Sequence, residues 1–353
     1  MSFEETKSSL LVSPKTWVVT GVAGFIGSNL LESLLRLNQK VIGLDNLSTG
    51  HLPNLHQVQA AVGSRHWKNF TWMEGDIQDP ATCRKAVKDA DYVLHQAALG
   101  SVPRSLAHPT DTNASNVTGF LNMLWAAREN GIQRFVFASS SSVYGDVTAL
   151  PQVEENIGNC LSPYAVSKRV NELYARVFAQ CYATQSIGLR YFNVFGPRQD
   201  PAGPYAAVIP KWIAAMLKQE PVYINGDGST SRDFCYVANV VQANILAATT
   251  INAAALNTVY NIALGDETTL IGLFQMLRQR LLPTHPHLRE LKPVHRPMQP
   301  CDLPHSRADI SKARRLLGYT PTHKIEQGLD ESLNWYTQPQ SPSVPECGGR
   351  PPL

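Results

Sequence analysis

The chain has 353 residues, of which 43% are hydrophobic and 17% charged, and a formal charge of +3. That balance gives no sign of bulk nucleic-acid binding, and no apolar run reaches transmembrane length. Six cysteines (Cys83, Cys160, Cys181, Cys235, Cys301, Cys347) lack Cys-x-x-Cys spacing, which points to reduced thiols rather than disulfides or a zinc site. The polar start, Met1 to Pro14, lacks the basic-then-apolar order of a signal peptide. Residues 1–13 are therefore expected to be a tail and the protein to be cytoplasmic.

Thr16 to Thr20 reads as a short buried strand. Gly21-Val-Ala-Gly24-Phe-Ile-Gly27 follows, then the helical pattern Leu30, Leu31, Leu34, Leu35. A second strand, Lys40 to Leu44, ends at Asp45. This is a βαβ unit with a Gly-x-x-Gly-x-x-Gly turn, the pattern of a dinucleotide site. The glycines let the backbone approach a pyrophosphate, and the helix start offers free N–H groups. Asp45 stands where a carboxylate binds ribose hydroxyls and repels a 2′-phosphate, which favours NAD over NADP.

Phe70 to Met73 reads as a strand ending near Asp76-Ile77, beside the adenine. Tyr92 to His95 is another, followed by Gln96-Ala97-Ala98, small enough for a cofactor to pass. Residues 113–130 form a long helix bearing Asn116. Phe135-Val-Phe137 is a buried strand that runs into Ser139, Ser140, Ser141 and Ser142. Tyr164 and Lys168 follow in Tyr-Ala-Val-Ser-Lys. Four residues apart on a helix, they share a face. A lysine cation there favours the ionised phenol and makes a usable general base. Hydroxyls of the serine run can hold a substrate oxygen beside that tyrosine.

After the strand Ile187 to Tyr191 the alternation breaks at Asn193-Val-Phe-Gly-Pro. Val240 to Thr249 and Leu270 to Leu281 look helical, and Tyr260 to Ile262 looks like a strand. His285-Pro-His287 is read as a solvated loop, with no metal site. Residues 338–353 are read as a flexible tail. The expected fold is α/β: a doubly wound parallel sheet of Rossmann type over 14–192. A smaller C-terminal substrate-binding lobe follows over 193–337, with segments returning to the sheet.

Together these motifs resemble an extended short-chain dehydrogenase/reductase. More narrowly, the chain is similar to bacterial UDP-N-acetylglucosamine 4-epimerases of the surface-polysaccharide type. The stretches that carry the likeness are 95–105, 162–168, 205–211 and 223–228, with Tyr-Phe-Asn-Val-Phe-Gly at 191–196. The resemblance implies oxidation at carbon 4 of a UDP-sugar by tightly held NAD, rotation of the 4-keto sugar, and hydride return to its other face. It implies that Tyr164 moves the 4-hydroxyl proton, that Lys168 assists it, and that Ser140 aligns the oxygen with Ser142 close by. At the cofactor it adds Phe25, Ile26, Asn46, Ser48, Thr49, Gly50, Asn116, Tyr191 and Val194. At the substrate it implies Ser101, Arg104, Asn193, Val208, Lys211, Tyr223, Asn225 and Arg232.

Two positions bear on the substrate. The family pattern Arg-x-Gly-Asp stands here as Gln299-Pro-Cys-Asp302, so Arg296 or Arg307 is the expected replacement for the diphosphate arginine. Ser306 aligns with a pocket position at the sugar's 2-substituent, where a serine leaves room for an N-acetyl group. A homodimer packed through the helices at 113–130 and 164–181 is also implied. UDP-glucose and N-acetylhexosaminuronic acids remain alternative substrates. A dehydratase of this scaffold usually carries an acid pair beside the tyrosine, where this chain has serines; a decarboxylase is a further, weaker reading. The non-enzyme alternative is a dinucleotide-sensing protein.

Overall fold

The computed structural model describes residues 2–201, 206–297 and 304–337. Its centre is a seven-stranded sheet. The strands are β1 (Thr16–Thr20), β2 (Lys40–Asp45), β3 (Phe70–Glu74), β4 (Tyr92–His95), β5 (Arg134–Ser140), β6 (Ser186–Tyr191) and β7 (Thr258–Ile262). Their order is β3-β2-β1-β4-β5-β6-β7, and every pairing is parallel. Parallel sheets need helical crossovers and are buried on both faces. The strands comply: Val18, Phe135 and Phe137 join one core cluster, while Trp17, Val19 and Val136 join the other. Helices Pro80–Val87, Phe120–Glu129 and Pro163–Tyr182 supply the first face. Helices Phe25–Arg36 and Val237–Thr249 supply the second.

The order reverses between β1 and β4. Chain segments leave that point to opposite sides and open a crevice at the strands' carboxyl ends. Both the Gly-rich turn after β1 and the Gln96-Ala97-Ala98 turn after β4 sit there.

A smaller lobe with its own core follows β6. Trp212, Ile213 and Met216 of helix Val208–Leu217 pack with Leu273, Phe274 and Leu277 of helix Leu270–Leu281 and with Leu329. Ile224 and Phe234 complete that cluster. The lobe is not a single insertion. The chain returns to the sheet for Val237–Thr249 and β7, goes back for Leu270–Leu281, returns for Ser311–Leu317 against β7, and the described residues close with the lobe helix Ile325–Thr337.

Residues 1–13 differ from the expected tail. They hold the helix Phe3–Val12, which is started by a Ser2/Glu5 capping box and seats Leu10 in the core. Only Thr6 and Leu10 are buried, with Phe3 partly so, too few to mark a periodic pattern. The long helix at 113–130 is also interrupted: Ala114–Gly119 winds as a π-helix. The expected tail at 338–353 lies outside the described residues. Among those described, no helix is long and apolar enough to cross a membrane.

Candidate active site

The Gly-rich turn is shaped by contact. Gly21 has φ +67, and a Cβ there would stand 2.8 Å from the Ala97 nitrogen. A Cβ on Gly27 would lie 2.0 Å from the Gly21 oxygen, so the helix could not start this close to β1. Gly24 is the N-cap of Phe25–Arg36 and provides no side-chain cap. The first N–H groups of that helix therefore face the crevice without a side-chain acceptor, a ready site for a diphosphate. Asp45 ends β2. Its Oδ2 accepts from Ala23 N at 2.9 Å and its Oδ1 from Leu47 N at 2.8 Å, which draws both loops together. Burial pushes its pKa up, and those two N–H donors oppose the rise.

These residues line a cleft of about 470 Å³. Gly21, Gly24, Phe25, Ile26 and Gly27 form one wall, and Asp45, Asn46, Ser48, Thr49 and Gly50 another. Ile77, Gln96, Ala97 and Ala98 also line it, as do Tyr191 at the end of β6 and Val194 just beyond. Ser140, Tyr164 and Lys168 close its far end. Two expected cofactor residues stand apart from the lining. Asp76 is at the lip, where it accepts from Asn46 Nδ2 at 2.9 Å. Asn116 is buried behind the wall: it accepts from Leu99 N at 2.7 Å and donates to Leu99 O and to Ser167 Oγ. It braces the loop after β4 instead of facing the cleft.

The reacting groups come from two elements. Helix Pro163–Tyr182 begins with Ser162 accepting from Ala165 N and with Pro163 in the first turn. Tyr164 and Lys168 consequently fall on its inward face. Ser140 ends β5, with its Oγ 2.5 Å from Ser142 Oγ. Lys168 is 3% exposed. Its Nζ donates to the Ala138 carbonyl at 2.9 Å and lies 5.9 Å from the centre of the Tyr164 ring. Burial pulls the lysine down to about 8.

The phenol departs from expectation. Burial raises the Tyr164 pKa, and the opposing pull comes from the Ser140 hydroxyl rather than the lysine charge. Desolvation disfavours the phenolate, and the ammonium is turned toward a carbonyl.

A second cleft of about 420 Å³ opens into the lobe. Asn193, Val208, Lys211, Tyr223, Asn225 and Arg232 all line it, as does Arg296. Val194 and Gln199 line both clefts, so the two are continuous. Trp212 Nε1 donates to Tyr223 O at 3.2 Å, and the Arg296 guanidinium lies 3.2 Å from the centre of the Tyr223 ring. Arg232 is steadied by the carbonyls of Ser231 and Pro304. Three cations and no carboxylate stand among the described lining residues, a setting for a diphosphate next to a planar base.

The family model of the NAD dependent epimerase/dehydratase family matches residues 17–263. The chain belongs to this family. Its cofactor is accordingly NAD, and the first cleft has the chemistry to hold it. This epimerase/dehydratase is 36% identical to a putative UDP-glucose 4-epimerase of Methanocaldococcus jannaschii, with 90% of this chain and 97% of the relative covered. It shares 40% identity with a UDP-N-acetylglucosamine 4-epimerase from Methanobrevibacter ruminantium M1, solved in complex with UDP-N-acetylmuramic acid. The TM-score is 0.83, covering 92% of this chain and 98% of the other. A UDP-glucuronic acid 4-epimerase from Bacillus cereus, in complex with UDP-glucuronic acid and NAD, is 28% identical with a TM-score of 0.80, covering 91% and 98%.

Among the described residues, four of those expected at the substrate of this family member, Ser101, Arg104, Ser142 and Ser306, are absent from both linings. Ser101 caps the short helix Val102–Ala107 by accepting from Arg104 N, so both stand just beyond Gly100 at the cleft edge. Ser306 is 8% exposed, and its Oγ donates to Gln152 Oε1 at 3.3 Å; it lines neither cleft. Gln299 lies outside the described residues. Conversely, Leu44, Gly75, Gly100, Ser115, Ala138 and Gln199 line the first cleft without having been expected there. Gly75 and Gly100 carried a signal, as glycines just past strand ends. Gln199 carried none.

Proposed function

We propose that this chain is a UDP-sugar 4-epimerase, and that it interconverts UDP-N-acetylglucosamine and UDP-N-acetylgalactosamine. The observation that supports it best is the position of Tyr164 and Ser140 at the end of a dinucleotide cleft that runs on into a cationic one. A nucleotide held in the second cleft would present its sugar at that junction.

In this reading the Gly-rich turn and the helix start hold the NAD diphosphate, and Asp45 accepts from the adenosine ribose. Asp76, Ile77 and the Gln96–Ala98 turn border the adenine side, and Asn116 holds their loop in place. Lys168 reaches the nicotinamide ribose. Bound NAD supplies a hydride acceptor and a positive charge close to the phenol. Tyr164 takes the proton of the 4-hydroxyl while its hydride leaves carbon 4, and returns a proton when hydride comes back to the opposite face. Ser140, with Ser142 behind it, donates to the same oxygen and stabilises charge growing there. No net redox change results.

In the second cleft, Lys211, Arg232 and Arg296 grip the diphosphate. Arg296 thereby does the work of the arginine that Gln299 replaces. Tyr223 and Asn225 meet the uracil, Asn193 and Val208 border the diphosphate, and Ser101 and Arg104 approach the sugar. The M. ruminantium relative supports an N-acetylated sugar. The kinship with UDP-glucose and UDP-glucuronate epimerases keeps those two sugars as a second reading.

Purified protein given UDP-N-acetylglucosamine and no added NAD should produce UDP-N-acetylgalactosamine, seen by its anomeric proton in NMR. Turnover of UDP-glucose or of a uronic acid alone would overturn the N-acetyl preference. We also infer a homodimer through the outer face of Pro163–Tyr182, where Val166, Leu173 and Val177 are about half exposed. Light scattering should then give twice the chain mass.

A further inference from the structure

We infer that Ser139 and Glu172 form a clamp that aims Ser140 at Tyr164. This inference rests on the epimerase reading for its kinetic consequences.

The end of β5 meets one helix three times in succession. Ala138 gives its carbonyl to Lys168 Nζ, at 2.9 Å. Ser139 donates its hydroxyl to Glu172 Oε1, at 2.6 Å. Ser140 and Tyr164 line the same end of the cleft, and the Ser140 hydroxyl pulls the phenol pKa down. Tyr164, Lys168 and Glu172 recur every four residues, so all three project from one stripe of Pro163–Tyr182 onto the strand end. Ser139 pairs with Arg190 across the β5–β6 ladder, so both side chains share a face of the sheet. Both reach the same carboxylate: Arg190 Nε meets Oε1 and its Nη2 meets Oε2, each at 2.8 Å. Ser140 pairs with Tyr191 on the opposite face, toward the cofactor cleft.

The Glu172 side chain is 3% exposed and that of Arg190 1%. Arg169 also donates to Glu172 Oε2 at 2.9 Å. The carboxylate thus has two guanidinium partners and does not need the serine for its charge to be balanced. A buried ion pair roughly repays its own desolvation and adds little net stability. What the short, charge-assisted bond from Ser139 adds is direction. It ties the residue before Ser140 to a point fixed by an arginine on the neighbouring strand. Ser140 is then held at the phenol with little freedom left in the strand end. Ser139 and Glu172 are positioning residues, acting through Ser140.

Ser139→Ala removes the tie and leaves Glu172 with both arginines, so the fold should survive. With the UDP-sugar as substrate, kcat should fall about tenfold and KM should stay within about twofold. The rise of kcat with pH should move to higher pH, because a Ser140 hydroxyl held less firmly near Tyr164 lowers the phenol less. Ser139→Thr, which restores a hydroxyl, should recover most of the rate. A kcat near that of wild type, or a fall matched by an equal loss of folded protein, would overturn the clamp. A second readout needs no sugar: the ultraviolet titration of Tyr164 in the NAD-bound protein, taken as the difference from Tyr164→Phe. Its midpoint should be higher in the Ser139→Ala background. An unchanged midpoint overturns the clamp whatever the turnover results. If wild-type protein turns over no UDP-sugar while the Ser139→Ala midpoint is still raised above that of wild type, the epimerase reading alone is overturned.

Discussion

Tyr164→Phe is expected to lower UDP-sugar turnover about a thousandfold, with the fold and bound NAD unchanged. Phenylalanine keeps the ring that packs at the head of Pro163–Tyr182 and removes only the hydroxyl. Without it no group at the end of the first cleft can take the 4-hydroxyl proton, since Lys168 is engaged with the Ala138 carbonyl and Ser140 with Ser142. Positioned acid–base groups contribute about 10²–10⁴-fold, which sets the scale. The check is kcat by NMR, with circular dichroism and NAD content measured on the same sample. A loss below tenfold would remove Tyr164 from the proton path. Burial raises this phenol and Ser140 pulls it back, so its ionised fraction grows with pH. Turnover that uses the phenolate should therefore increase with pH until the phenol has ionised.

Asp233→Ala should cost about 4 kcal/mol of stability and leave the second cleft unable to hold UDP-sugar. Asp233 is fully buried. Its Oδ1 accepts from Leu264 N at 2.9 Å, and its Oδ2 from Gly265 N at 3.0 Å and Ala308 N at 3.2 Å. One carboxyl thus joins the residue after Arg232 to the exit of β7 and to the segment that begins Ser311–Leu317. Burial pushes it up to about 7 despite those three donors. Alanine would leave three N–H groups in the interior with no acceptor, at about 1–3 kcal/mol each before relaxation. Arg232, next in the chain, would lose its fixed setting. Asp233→Asn, which retains one acceptor oxygen, should cost roughly half as much. Urea melts of the three proteins settle the matter, and coincident midpoints would contradict the argument.

Local pattern carried most of what could be read in the chain. Thr16–Thr20 and Leu270–Leu281 have the expected bounds because both are dense apolar runs with clear ends. Helix Leu52–Trp67 was invisible: its inward residues are Asn54, Leu55, Val58 and Val62, and Gly63 breaks it at φ +72. The phosphate turn, Asp45, the serine run and the tyrosine–lysine pair were legible because each is a contiguous motif with its chemistry in it. What escaped depends on residues far apart in sequence. Gln199 is at the junction of the clefts only because the loop after β6 folds back over it. Ser306 faces Gln152, 154 positions away, a contact that no periodicity announces. The rise in the Tyr164 pKa comes from burial by the whole fold, which the four-residue spacing to Lys168 could not reveal.

The repeated passage of the chain between sheet and lobe has a mechanical meaning. A lobe hung on one linker can swing, whereas one stitched to its base at several seams resists rotation as a body. Asp233 fastens one of those seams. The sugar chamber is then closer to a mould than to a jaw. Change of substrate in such a protein should come from altering the volume of single side chains within the mould, with the hydride-handling half and its alignment left untouched.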